Sequence, residues 1–565
     1  MSSLVVVVNP KQFSRSRAAF ALSQLLDILG YLYSFSDDGA ELSPGSTSQS
    51  PRLSLYYGPP DHVPPRADIV IPEQSDAAPA DLLAALGDPD PAHHVQSTVD
   101  PGDRRFWTYD LIQAAFYLLS RQEEVDVSAR DAMDRFSTEH SLLSKLGLVE
   151  RPVLNEAALI LDGLIQQVAA ERRALVLKKS PWPHPYRYAV SLTHDIDDLG
   201  YRDPAFGLHC LGQFVRTRRF HALRKGLGTL LQWGQNRLTG RDYARWYLDE
   251  WLRLEDELGL RSTCYLVSAG NDKSSYDPNY DVAEMRLSAQ LRSMAKRGWE
   301  IGVHGSFDSY RSAQRTRAEL QRLQDVLSAP VHGIRQHYLR LAVPDTWTYQ
   351  EMAGYRYDAT LGFRDRLGFR AGLTTPFTPY NLLADAPFSL LELPLSIMDG
   401  VLFWRYKLAP EAALSTVLDY AGLTRDVQGH LTLLWHHYAF DARKCPGWWS
   451  VYQEIVLHLA QQSAVYIATM ADVVTWWQAR QHLTLAADTL AGDSRRVVLR
   501  AGRAIPGHLR LDIGGGGWRL TNLSDGELIL PYRPELGRLA LILLPPVAES
   551  QTITLEFERE TRQSG

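Results

Sequence analysis

The stretch Ser191-Leu-Thr-His-Asp-Ile-Asp-Asp-Leu199 decides how the rest of the chain is read. It opens as a strand, because Tyr188, Val190 and Leu192 alternate with smaller or polar residues, the period-two pattern of half-buried β structure. It then ends in carboxylates. Asp195 and Asp197 are two positions apart, so extended backbone turns both to one face. Two carboxylates on one face repel unless a cation or a proton lies between them. The stretch therefore predicts a metal ligand beside a general base, at the carboxyl end of a core strand, where α/β folds place their chemistry. The competing structural reading is a strand followed by an acidic helix cap.

Downstream, the chain repeats the arrangement. Predicted helices at Trp246–Leu258, Met285–Arg297, Thr316–Leu327, Ser415–Leu423 and Ala471–Arg480 alternate with predicted strands at Ser262–Val267, Trp299–Val303, Val331–Arg335, Leu390–Leu393, Leu431–Trp435 and Val465–Thr469. Such alternation suits a (β/α) barrel. Asp195, Asp197, His304, Arg335 and His436 all fall at or just after strand ends, the catalytic rim of such a barrel.

The flanks differ. Residues 1–180 read as a mixed α/β accessory domain, with strands at Leu4–Val8, Arg52–Tyr57 and Ile69–Ile71. Helices are predicted around Ala18–Leu29 and over Tyr109–Glu124, the latter closed by Arg121-Gln-Glu-Glu124. The charged run Asp131–His140 reads as a solvated surface. A Pro-rich link, Ser180-Pro-Trp-Pro-His-Pro185, leads into the barrel, assigned to residues 181–482. Residues 483–565 read as a small β-domain of short strands, with Gly514–Gly517 as a hairpin turn because no Lys-Ser/Thr comes after it. Between the opening strand and the barrel helices lies a basic insertion, 206–246, carrying Arg216, Arg218, Arg219, Arg224, Lys225, Arg237 and Arg241 with apolar residues between them. It reads either as a lid or peripheral surface for an anionic glycan or lipid, or as a helical hairpin packed on its own protein.

Composition sets limits. At 565 residues the chain is too long for one ordinary core. A formal net charge of −6 gives no whole-chain argument for nucleic acid or for an anionic membrane. Cys210, Cys264 and Cys445 are far apart in no paired spacing, against a disulfide framework or a cysteine zinc site. The apolar run in Met1–Asn9 has no basic residue ahead of it and reads as a strand, not a signal peptide. No run of the ~18 apolar residues of a membrane span is expected. The expected location is cytoplasmic.

The set Thr-His-Asp-Ile-Asp, Glu-Ile-Gly-Val-His-Gly-Ser, Gly-Ile-Arg-Gln-His-Tyr, Tyr-Asp-Ala-Thr and Leu-Leu-Trp-His resembles, in order, the five motifs of the polysaccharide deacetylases (NodB homology, carbohydrate esterase family four). Within that family it is similar to a bacterial branch with an accessory N-terminal domain, which Arg121-Gln-Glu-Glu124 and Asp134-Arg-Phe136 resemble. The resemblance implies a distorted (β/α) barrel and gives each rim residue a role. Asp195 matches the catalytic base, Arg335 the arginine that orients it, and His436 the catalytic histidine, with Asp358 matching the acid that orients that histidine. Asp197 and His304 match metal ligands, and the implied ion is divalent, with zinc favoured. One position departs from the pattern: the second histidine, four residues after His304, is replaced by Asp308. Asp308 could complete the site, His337 could do so instead, or the metal site is weakened or lost; the reading leans to His337, since nitrogen ligands are common for zinc.

The resemblance implies a metal-dependent hydrolase removing N-acetyl or O-acetyl groups from an acetylated glycan or glycan precursor. The alternative is a non-catalytic carbohydrate-binding protein that has kept the barrel. Glu392 and Asp399 read as groove-lining or structural carboxylates, and Trp404, Trp435, Trp448 and Trp449 as sugar platforms or, for most of them, core.

Overall fold

The computed structural model describes residues 4–36, 53–74, 76–97, 104–199, 204–239, 248–442, 444–524, 526–530 and 538–559. Arg52, Arg241 and Trp246, which the sequence pattern assigns to elements, lie outside them.

The Tyr188–Ile196 strand is buried along its whole length. One edge pairs with His430–Leu434. The other is shared, with Val465–Ile467 on its first half and Thr263–Leu266 on its second. Beyond Thr263–Leu266 the sheet runs through Glu300–Gly305, Gly333–Gln336 and Tyr357–Asp358 to Leu391–Glu392; beyond His430–Leu434 it ends at Ile397–Met398. Every pairing in this nine-stranded sheet is parallel, so all carboxyl ends share one rim. The two end strands are consecutive in the chain, and so few linking residues span at most about 18 Å. The sheet must therefore curl, and it forms a parallel half-barrel. Sequence periodicity missed Tyr357–Asp358 and Ile397–Met398, because two-residue strands show no alternation.

Alternation along Tyr188–Ile196 sets the two faces. Val190 and Leu192 join a buried cluster with Trp251, Leu291 and Val456 from the covering helices Leu248–Glu257, Met285–Lys296 and Trp448–Ala460. Thr193 and Asp195 face inward, where Arg335 reaches both.

Residues before the Pro-rich link build a six-stranded sheet in the order Tyr33–Ser36, Leu4–Val8, Leu53–Gly58, Ile69–Pro72, Arg105–Trp107 and Val95–Ser97. The helix Val153–Arg172 is long and apolar enough on average to cross a membrane, although Glu156 and Asp162 interrupt it and it holds no unbroken apolar run of that length. Its apolar side is used inside the protein, with Leu154, Ala158, Leu161 and Ile165 buried. The predicted helix Tyr109–Glu124 is broken into Leu111–Leu119 and Gln122–Asp126, with Arg121 between them at φ 52°. The break lets Arg121 meet Glu124 at 3.0 Å, both side chains being buried. Glu124 also receives Arg370 at 2.6 Å, an ion pair joining this segment to the loop after Tyr357–Asp358.

The charged run Asp131–His140 is not a solvated surface. Tyr310 donates to Asp134, Arg311 pairs with Asp134 at 2.9 Å, Arg135 donates to the Tyr338 carbonyl at 3.2 Å, and Thr138 donates to Asp365 at 2.6 Å. Asp134 and Arg135 are spent on the barrel rim, while Glu139 stays exposed.

After the barrel helices the chain forms two four-stranded sheets. Val176–Lys179, just ahead of the Pro-rich link, completes one of them by pairing antiparallel with Leu509–Gly514. Gly514–Gly517 is a corner between the sheets and not a hairpin, because Leu509–Gly514 and Trp518–Leu523 belong to different ones. Gly515, at φ 87°, lies where a Cβ would run into the Ala174 carbonyl.

Candidate metal and hydrolytic site

Parallel register brings the rim residues together. His304 stands opposite Arg335 in neighbouring strands, and His337, two positions on, continues toward the same face. Asp195 and Asp197 approach from the opening strand. Around them lies a cavity of ≈ 170 Å³ lined also by Tyr338, Arg364, Trp404, His436 and Tyr438.

Three side chains converge as a donor set. Asp197, His304 and His337 each offer one atom, all within 4.8 Å of one another. His304 Nε2 is 3.5 Å from Asp197 Oδ1, and His337 Nε2 is 3.7 Å from it. The other nitrogen of each ring is already used. His304 Nδ1 donates to the Arg335 carbonyl at 2.8 Å, and His337 Nδ1 to Asp277 Oδ1 at 3.2 Å. In the neutral rings both Nε2 lone pairs are thereby turned toward Asp197, whereas a protonated ring offers it an N–H instead. Asp197 Oδ1 is itself buried with no hydrogen-bond partner among the described residues. Two imidazole lone pairs and an orphaned carboxylate oxygen at this spacing fit a divalent cation, and the nitrogen-rich set suits zinc.

Asp308 does not join this set. Its side chain is about half exposed and meets Arg340 at 3.4 Å. The chain turns into Ser309–Arg311 directly after it, which carries Asp308 outward. Arg340 is in turn held by the Tyr310 hydroxyl at 2.7 Å and the Met133 carbonyl at 2.9 Å.

The second group surrounds Asp195. Arg335 NH1 donates to Asp195 Oδ1 at 2.9 Å and to Thr193 Oγ1 at 2.9 Å. Its Nε donates to the Ala359 carbonyl at 3.0 Å, and the guanidinium lies 4.5 Å from the centroid of the Tyr265 ring. Burial on its own would raise the Asp195 pKa, but Arg335 and then the His304 and His436 rings outweigh it and hold the carboxyl below its usual range. For Asp197 the balance is the same: burial opposes, while His304, His337 and His436 together keep it ionised.

The third group is His436 with Asp399. Asp399 Oδ1 accepts from His436 Nδ1 at 2.7 Å, and Oδ2 accepts from the His436 backbone at 2.8 Å. His436 Nε2 then points to Asp197 Oδ2, 3.7 Å away. Burial would lower this imidazole, but the carboxylate of Asp399, joined by those of Asp197 and Asp195, outweighs burial and raises it to about 9. Asp358, which the motif order assigns to this task, is elsewhere. It sits opposite Glu392 in the next strand, accepts from Thr360 at 2.5 Å and shares the Trp347 indole with Glu392. The two buried carboxyls repel as anions, and burial together with that repulsion pushes Glu392 far above its ordinary pKa.

Asp277 carries a role that the motifs do not reveal. Asp277 is buried in the loop after Thr263–Leu266 and also accepts from the Ser274 and Phe307 backbones at 2.7 and 2.8 Å. Nothing in its local sequence separates it from an ordinary turn aspartate. His437 turns away from the cavity and fixes the opening strand instead, donating to the Asp198 carbonyl while Nδ1 accepts from the Asp197 backbone at 3.3 Å. Trp404 is 49% exposed at the cavity mouth, stacked on Tyr438, which stacks on His436; Trp435 and Trp448 are buried.

The fold and site together define a class: a parallel α/β half-barrel with an Asp-His-His donor set, a paired carboxylate and a paired imidazole on one rim. Comparison adds that residues 7–170 match a family described as of unknown function (DUF7033). No curated protein matches the chain. Among solved structures, the chain is similar to a candidate polysaccharide deacetylase from Mycobacterium smegmatis, at 16% identity over 55% of this chain and 98% of that one, with a TM-score of 0.35. It is also similar to a second candidate polysaccharide deacetylase, from Pseudomonas aeruginosa PAO1, at 14% identity over 53% and 94%, TM-score 0.36. A third is Puue allantoinase, at 16% identity over 53% and 93%, TM-score 0.36.

Proposed function

We propose that this protein is a metal-dependent hydrolase that removes acetyl groups from an acetylated carbohydrate. The observation that carries the reading is the convergence of three separately prepared groups on one cavity: Asp195 on Arg335, His436 on Asp399, and Asp197 with two imidazoles. Deacylation needs an activated water, stabilisation of the oxyanion and a proton for the departing amine or alcohol. Asp197, His304 and His337 would hold the ion. When bound, a divalent ion polarises the acyl oxygen and makes water a better nucleophile at neutral pH. Asp195, kept ionised by Arg335, accepts the proton of the attacking water. His436, kept protonated by Asp399, returns a proton to the leaving group. Trp404 offers an apolar face on which a sugar ring stacks at the mouth.

The test is metal content and acetyl release measured together. The parent protein is expected to carry near one equivalent of a divalent ion, lost in Asp197→Ala, His304→Ala and His337→Ala and kept in Asp308→Ala. Asp195→Asn should keep the ion and lose acetyl release from acetylated sugars. A parent that binds no divalent ion when one is supplied in excess would sink the hydrolase reading and leave a non-catalytic carbohydrate-binding protein.

A further inference from the structure

Arg364 lines two adjoining cavities, the one that holds the rim residues and a second of ≈ 240 Å³ beside it. The second cavity is lined by four arginines, of which Arg405 is exposed and two are already paired. Arg135 holds Asp131 at 2.7 Å, and Arg370 holds Glu124 at 2.6 Å. The acids there are used too, or face water: Asp365 accepts from Thr138 at 2.6 Å, and the Glu139 side chain is 75% exposed beside His140. Arg364 is different. Its NH1 atom is buried and has no hydrogen-bond partner among the described residues. Burial and the like charges of Arg135 and Arg405 all act against its cation. A partly buried guanidinium with an unpartnered buried N–H group is costly without an anion, and its planar fork matches a carboxylate or phosphate.

We propose that Arg364 is an anion subsite, so that the acetylated sugar handled at this site carries a carboxylate or a phosphate. The proposal rests on the hydrolase reading for its sugar, but not for its anion. The test is calorimetric binding to the metal-loaded full chain, with acetyl release followed in parallel. The probes are N-acetylglucosamine, N-acetylglucosamine 1-phosphate and the corresponding 6-carboxylate. At least one anionic probe is expected to bind ten times more tightly than the neutral one, and which one does so separates phosphate from carboxylate. That advantage should vanish in Arg364→Met and return in part in Arg364→Lys. Equal binding of all three probes to the parent, or an advantage that survives Arg364→Met, overturns the subsite. Acetyl release without any preference for an anion would leave the hydrolase reading standing and the subsite overturned. Arg364-dependent anion binding without acetyl release would do the reverse.

A separate observation concerns the helices Pro204–Thr217 and Phe220–Thr239, which pack on each other through the close approach of Gly207 and Gly226. Between residues 204 and 239 there is no Asp or Glu, against Arg216, Arg218, Arg219, Arg224, Lys225 and Arg237. The solvent side is apolar at helical spacing. Phe220, Leu227, Leu231 and Leu238 form one exposed stripe, with Leu238 89% exposed, and Leu208 and Val215 form another. The inner side is anchored to the rim: Lys225 donates to the Asp277 carbonyl at 2.6 Å, and His221 stacks on Tyr276, which stacks on Phe307.

We infer that this hairpin seats on an anionic lipid surface, its arginines on phosphates and its apolar stripe in the acyl boundary. A second copy of the chain is disfavoured, because self-pairing would set two all-cationic hairpins against each other. The test is sedimentation of the full chain with vesicles of phosphatidylcholine alone and with 30% phosphatidylglycerol. Salt-sensitive binding to the second only, lost in Leu231→Glu/Leu238→Glu at unchanged melting temperature, is expected. Failure to bind either vesicle overturns the inference, as does hairpin-dependent self-association without lipid.

Discussion

Asp399, and not Asp358, holds His436: its Oδ1 lies 2.7 Å from His436 Nδ1 and its Oδ2 accepts from the same residue's backbone. This double grip fixes both the tautomer and the direction of the ring. If His436 is the acid, activity falls as pH rises through its pKa. The Asp399 carboxylate raises that pKa, so Asp399→Asn should move the alkaline limb of kcat/KM to lower pH. Asp358→Asn should leave that limb in place. A pH–rate profile of both variants decides it.

Asp277 performs the corresponding task for His337. Partners of this kind typically govern metal affinity by about 10–100-fold. Asp277→Asn is expected to weaken metal binding by that range, while Asp308→Ala leaves it unchanged. Competition with a chelator of known affinity measures both. Equal affinity in Asp277→Asn and the parent would refute the role.

The buried set Arg121, Glu124 and Arg370 joins the N-terminal segment to the barrel. Removing one member strands the other charges, at a cost of about 3–5 kcal/mol. Arg370→Met should therefore lower the urea midpoint strongly. Pairing it with Glu124→Gln should cost less than the two single changes added together, because they share one interaction.

Glu392 is held protonated beside Asp358 by burial and by the neighbouring carboxyl. A carboxyl whose folded pKa is raised binds a proton that the unfolded chain releases. Its contribution is therefore complete below the unfolded pKa, about 4.3, and is lost as pH rises toward the folded value. Glu392→Gln keeps the shape without the proton, so stability above pH 5 should fall less steeply with pH than in the parent. Denaturation followed from pH 5 to 8 checks the slope.

The opening strand, the alternation of helix and strand, and the rim positions of Asp195, Asp197, His304, Arg335 and His436 were all legible in the sequence. Periodicity and strand ends are local properties, and each of these residues lies in or next to an element long enough to show them. The short strands Tyr357–Asp358 and Ile397–Met398 left no such trace. Nor did the fate of the run Asp131–His140, since a charge that meets a partner far along the chain looks like any solvated charge.

By itself, then, the sequence carried the α/β class and the rim positions of Asp195, Asp197, His304 and His436, and the family resemblance attached expected roles to them. The tertiary structure alone decided which of His337 and Asp308 stands beside Asp197, and that Asp399 and Asp277 aim the imidazoles. The reason is geometric. Periodicity states which face a side chain takes along one strand, but how far it lies from a group on another strand depends on register and curvature. Both are set by the packing of the whole sheet.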